Sequence, residues 1–257
     1  MIEIIKAIFL NSLITMALLF GSVIAAGLLL GALNRVAGRY MQLSVGWWGI
    51  LVTAWIGTPI HELGHAFMCL VFGHKITEMK LFQNSEDGKL GYVRHSYNTS
   101  NIYQKIGNFF IGIAPILSGT GVILLLMLLL VRPIMGDLWN LASVGEPWKL
   151  ASWPNFWTYL HEPRFWIFIA LSVCVAAHMA LSFSDLKGAF SGIITIFIII
   201  LAVNIILMVF RFDITTLYAT AKIYNTYIIF GLLVAVFCSL CYTAISLILH
   251  SLNSSSN

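Results

Sequence analysis

The stretch WIGTPIHELGHAFMCLVFGH, residues 55–74, sets two histidines and a glutamate inside a run that otherwise reads as membrane-spanning helix. Ionisable side chains are expensive in hydrocarbon, so such a cluster marks a functional site. Positions i and i+4 share a helix face, so His61 and His65 present two imidazoles to one point, with Glu62 beside them. In this His-Glu-x-x-His arrangement two neutral imidazoles bind Zn2+ and the glutamate is general base toward the attacking water. The alternative is two satisfied core histidines with Glu62 paired to one of them. It buries three costly groups together without a role.

The rest of the chain suits that setting. Of 257 residues, 60% are hydrophobic and only 9% charged, and the mean hydropathy is +0.92. Soluble domains are about 25% charged, so the composition describes a single membrane domain over residues 1–257, with the lipid bilayer as partner. Net charge is a modest +4, and no basic stripe points to nucleic acid. Cys69, Cys174, Cys238 and Cys241 lie in apolar stretches, which argues against a disulfide framework. The C-x-x-C formed by Cys238 and Cys241 reads as packing.

A helix needs about 20 apolar residues to cross a bilayer. Six runs qualify, at about 7–33, 47–72, 107–131, 164–183, 189–210 and 227–249. The expected fold is an all-α polytopic membrane protein of about six transmembrane helices, placed in a bacterial cytoplasmic membrane. Its N- and C-termini then fall on the same side, the cytoplasmic one, although seven loop cations on each face balance under the positive-inside rule. The glycine pairs Gly27/Gly31 and Gly188/Gly192 suit close helix contacts. Gly57 and Pro59 imply either a local opening before the motif or a kink filled by a neighbouring helix.

Two connections carry structure. After the histidine helix, extended-type residues flank Asp87-Gly88, a hairpin signal, predicting a membrane-associated β-hairpin over about 76–97. A Trp-rich segment, about 132–163, holds Trp139, Trp148, Trp153 and Trp157 and reads as an interfacial loop.

Catalytic zinc takes three protein ligands and keeps one open position. Of the ten carboxylates, only Glu62 and Asp185 fall within or at the margin of a span. Asp185 ends the fourth span, either as a third ligand or as an ordinary polar helix end beside Lys187. His178, two turns earlier, stands as a rival ligand, an outer partner of a ligand, or a packing residue.

HELGH in one helix, an extended hairpin, then GNFFIGIAPILSGTG and an aspartate near a glycine together resemble the site-2 protease family of zinc intramembrane metalloproteases. The resemblance covers about residues 47–192, the three-helix catalytic core. It implies zinc bound by His61, His65 and Asp185, with Glu62 as base. It also implies membrane-protein substrates cut in or next to a transmembrane segment. The chain resembles a divergent member, because LSFSDLKG replaces the family's Asn-Pro-x-x-Asp-Gly, with Leu181 at the asparagine and the glycine delayed to Gly188. A helical substrate must be unwound to expose its carbonyls, and the hairpin edge around Leu90 and Tyr92 is suited to hold it by strand addition. Two rival readings remain. One is a zinc membrane protease of the prenyl-protein type, using Glu146 or Glu162 as third ligand. The other is a non-catalytic metal-binding membrane protein or transporter.

Overall fold

A computed structural model of the chain describes residues 2–85, 88–134, 136, 156–210 and 215–255. Most of the Trp-rich segment, including Trp139, Glu146, Trp148 and Trp153, lies outside the described residues, as does Asp87. The first apolar run continues well past residue 33: α1 (Ile2–Met16), a π-helical turn (Ala17–Gly21) and α2 (Ser22–Ser44) follow one another. Gly46, at φ +75°, then lets the chain turn into α3 (Trp47–Val71), which carries the histidine motif. Two antiparallel strands follow, β1 (Lys75–Lys80) and β2 (Tyr92–Ser96), and then α4 (Ile102–Leu130), α5 (Phe156–Tyr159), α6 (Pro163–Ala176), α7 (Phe183–Val209) and α8 (Thr215–Ser254).

Four described stretches are long and apolar enough to cross a membrane: Glu3–Ser44, Ile102–Leu130, Phe183–Val209 and Ile228–Ser254. Six were expected. Helix α3 is long enough, but His61, Glu62 and His65 dilute its apolar character. Helix α6 has only 14 residues.

The chain breaks between α6 and α7 although residues 177–181 are largely apolar. Ser182 starts α7 with a capping box: its Oγ accepts from Asp185 N at 3.1 Å, and Asp185 Oδ2 accepts from Ser182 N at 2.8 Å. Asp185 therefore belongs to the first turn of α7, and not to the end of the preceding span as expected.

Helix α4 lies between α3 and α7, and α2 runs along α8. Ser22 bonds Asn225, Asn34 bonds Ser239, and Asn253 bonds the Ser44 carbonyl, so α2 and α8 run parallel. The last turn of α8 sits at the end of α2, away from Ile2. The core between these helices is built from Leu30, Phe109, Ile116, Ile123, Val175 and Met179. Of the expected close glycine contacts, Gly192 is the tightest: a Cβ there would lie 2.3 Å from Phe109 N. At Gly27 a Cβ would lie 2.4 Å from Ile116 Cδ1, whereas Gly31 and Gly188 meet nothing tight.

The hairpin is longer than a two-residue turn at Asp87-Gly88. Its strands pair from Lys75↔Ser96 to Lys80↔Tyr92 with a bulge between Ile76 and Glu78, and residues 81–91 connect them. The described residues of the connection fold back along α3. Phe82 packs on Trp55, Asn84 accepts from Trp47 Nε1 at 2.7 Å, and Gly91 lies against Thr58 and Glu62.

Candidate metal centre

Helix α3 supplies His61 and His65, one turn apart, and α7 brings Asp185 to them. Their ligand atoms lie within 4.8 Å of one another. The Nε2 atoms of the two histidines are 3.2 Å apart. His65 Nε2 is 3.4 Å from Asp185 Oδ1, and His61 Nε2 is 3.9 Å from Oδ2. Zn–N bonds of about 2.0–2.1 Å at a tetrahedral centre put ligand atoms roughly 3.3 Å apart, so the cluster has the size of such a centre.

The outer partners decide what the cluster can bind. His61 Nδ1 donates to the His178 carbonyl and His65 Nδ1 to the Ile111 carbonyl, each at 2.7 Å. A carbonyl only accepts, so both Nδ1 atoms carry the proton and both Nε2 atoms of the neutral rings present lone pairs. Two lone pairs and a carboxylate pointed at one place repel unless a cation sits between them. Donation from the far nitrogen to a carbonyl is also how metal-bound imidazoles are commonly oriented. The donor set thus fits a divalent metal ion.

The break between α6 and α7 makes this possible. Residues 177–182 leave the helix, which frees the His178 carbonyl to accept from His61. The His178 ring points elsewhere, with Nε2 3.0 Å from Thr53 Oγ1 and Nδ1 3.5 Å from Thr58 Oγ1. It lies against Gly57, where a Cβ would sit 2.6 Å from His178 Cδ2 and 2.3 Å from the Cys174 carbonyl oxygen. His178 thus orients His61 through its backbone carbonyl and packs its ring between Thr53 and Thr58. Helix α3 runs unbroken through Pro59, with α6 filling the space at Gly57.

Glu62 is 6% exposed and lines two cavities, each of about 330 Å³. His61 lines both as well. One cavity holds the metal ligands together with Gly91, Tyr92, Val93, His95 and Asn108. The other runs from Glu62 and His178 past Leu90 to Arg35 and Tyr242. The expected hairpin residues Leu90 and Tyr92 therefore stand one in each cavity, on either side of Gly91. On the outer side of the hairpin, Tyr92 OH donates to Glu78, and Arg94 pairs with the same carboxylate at 2.8 Å. The Tyr92 hydrogen bond chiefly holds the Glu78 pKa below the usual carboxylate range, and the same bond raises that of Tyr92.

Several contributors escaped the sequence reading. Gly112 lets α4 and α7 meet: a Cβ there would lie 2.5 Å from the Asp185 carbonyl oxygen. Its place in GNFFIGIAPILSGTG hinted at close packing without naming its partner. The Ile111 carbonyl carries no sequence signal. Ser182, three residues before Asp185, carried a capping signal. His74 and His95 each stand within the hairpin region, but nothing local pairs them. All four cysteines are free thiols.

No protein-family model, curated protein or solved structure matches the chain.

Proposed function

We propose that the chain is a zinc-dependent intramembrane endopeptidase, a divergent site-2-protease-like enzyme that cuts membrane proteins in or next to a transmembrane segment. The observation that carries this reading is the convergence of His61 Nε2, His65 Nε2 and Asp185, with both imidazole tautomers fixed by carbonyls and Glu62 buried in the next position. Bound there, zinc would polarise the scissile carbonyl and acidify the attacking water. Asp185 offsets part of the ion's charge in a site of low dielectric. Glu62 takes the proton of the attacking water and returns it to the leaving amide nitrogen. Strand β2 lines the metal cavity and, among the described residues, has one edge unpaired in its two-stranded sheet, so an extended substrate segment can add to it.

In this reading α3 and α6 also lie within the bilayer, which gives the six hydrophobic segments of the sequence. The prenyl-protein type of site is disfavoured because Glu162, the residue before α6, is outside the ligand group.

Co-expression of the Glu62→Gln protein with the membrane proteins of its host tests the reading. The variant should accumulate an uncleaved membrane protein that wild type removes. Identical membrane-protein patterns with wild type and variant, both loaded with zinc, would favour a non-catalytic metal-binding protein or transporter.

A further inference from the structure

The metal cavity contains a third histidine that the ligand set does not use. His95 lies on β2 and reaches the cavity beside Val93, while its neighbours Arg94 and Ser96 face outward and are exposed. Behind it stands His74, only 4% exposed, at the turn between α3 and β1. His74 Nε2 is 2.9 Å from the Gln104 carbonyl oxygen, and its Nδ1 is 2.9 Å from His95 Nδ1. Tyr97 stacks on the His74 ring with the planes at 16°.

These contacts fix the protons. The Gln104 carbonyl only accepts, so His74 Nε2 carries a proton and Nδ1 of the neutral ring is a lone pair. His95 must then donate from its own Nδ1. Since Nδ1 is turned to His74, which is not among the cavity-lining residues, the nitrogen left for the cavity is Nε2, as an acceptor. No protein donor meets that atom among the described residues. His74 is buried and His95 half-buried, so the pair leaves one fixed acceptor at the cavity for a donor that enters it.

We propose that His95 contacts the substrate: held by His74 as the Nδ1–H tautomer, it accepts at Nε2 a hydrogen bond from a backbone N–H of the extended peptide in the metal cavity. The proposal rests on the peptidase reading for its ligand. The tautomer lock stands independently of it. A backbone N–H is present in every peptide except at proline, so His95 sets the depth and register of the chain without selecting a side chain. A substrate with proline at the matching position, lacking that donor, is a poor one.

Two measurements on the full-length protein in detergent test this. The first is 15N NMR of histidine-labelled protein. It should show His95 with a protonated Nδ1 and a bare Nε2, and a mixture of both tautomers in His74→Phe, which keeps a ring to stack on Tyr97. A protonated Nε2 in wild type overturns the proposal whether or not the protein is a peptidase. The second is steady-state cleavage of a transmembrane peptide. His95→Phe should raise KM about 10-fold with kcat and zinc content nearly unchanged, because the bond forms in ground and transition state alike. His95→Gln, which restores an acceptor near the Nε2 position, should recover most of the loss. An unchanged KM in His95→Phe, or loss of zinc from it, overturns the contact. Wild type that binds zinc and cleaves nothing overturns the substrate contact along with the peptidase reading, and leaves the NMR result to decide the lock.

Discussion

His61 Nε2 and His65 Nε2 stand 3.2 Å apart with both Nδ1 protons committed to main-chain carbonyls, so the two histidines face each other lone pair to lone pair. Two acceptors held in this way do not stabilise each other; a cation resolves the contact. The carbonyls come from two different places, Ile111 inside α4 and His178 in the break after α6. The site is therefore assembled by packing of α3, α4 and the α6–α7 break, and each of these elements can be tested separately.

Asp185→Asn should lower zinc affinity by two orders of magnitude or more, while the capping box loses little, because an asparagine oxygen can still accept from Ser182 N. His178→Ala removes a ring held between Thr53 and Thr58 but keeps the carbonyl that orients His61. It should cost about 1–3 kcal/mol of stability and leave zinc bound. Zinc content and thermal unfolding of the two purified variants check both statements. Normal zinc in Asp185→Asn with an empty site in His178→Ala would reverse the assignment.

Gly112→Ala places a Cβ 2.5 Å from the Asp185 carbonyl oxygen, so α7 has to move away from α4. Overpacking of this kind costs about 1–3 kcal/mol. Here it should also reduce zinc binding, although residue 112 is no ligand. Gly121→Ala in the same helix meets nothing within 4 Å and serves as the control. Equal zinc occupancy in the two variants would show that α7 carries no essential ligand.

Gly91→Ala acts on Glu62, the proposed base. The added Cβ would lie 2.8 Å from Glu62 Cγ and 2.9 Å from Thr58 Cγ2. Either the connection lifts off α3 or Glu62 swings aside. Peptide cleavage should fall at least 10-fold with zinc retained, read as kcat at full zinc loading.

Tyr92→Pro removes a backbone donor from β2 opposite Lys80 and should disturb the strand that lines the metal cavity. Tyr92→Phe keeps the strand and loses only the hydroxyl bond to Glu78 on the exposed side. Cleavage should drop strongly in the first and little in the second, with zinc equal in both. Leu90→Pro, outside the paired strand, should fall between them.

How much of this was legible in the sequence follows from how local each feature is. His61, Glu62 and His65 were readable because one helix turn joins them and because their setting is apolar. Asp185 was readable as a residue but not as a place. The apolar residues 177–181 hid the helix break, and the Ser182–Asp185 capping pair that marks it was read as the end of a span. The two strands were visible as extended-type residues, yet the docking of Gly91 on Glu62 has no local sign. It depends on Phe82, Asn84 and Gly91 lying back along α3. The His74–His95 pair is 21 residues apart in sequence and meets only after the turn behind α3 and the β1–β2 register are both formed.

In the proposed enzyme Glu62 is the base and not a ligand of the zinc that His61, His65 and Asp185 hold. The most direct test is the cleavage rate of Glu62→Gln against wild type on one transmembrane peptide at matched zinc occupancy. Loss of general-base catalysis should slow cleavage by about 10²–10⁴-fold while zinc remains stoichiometric. Wild-type turnover in Glu62→Gln would rule Glu62 out as the base.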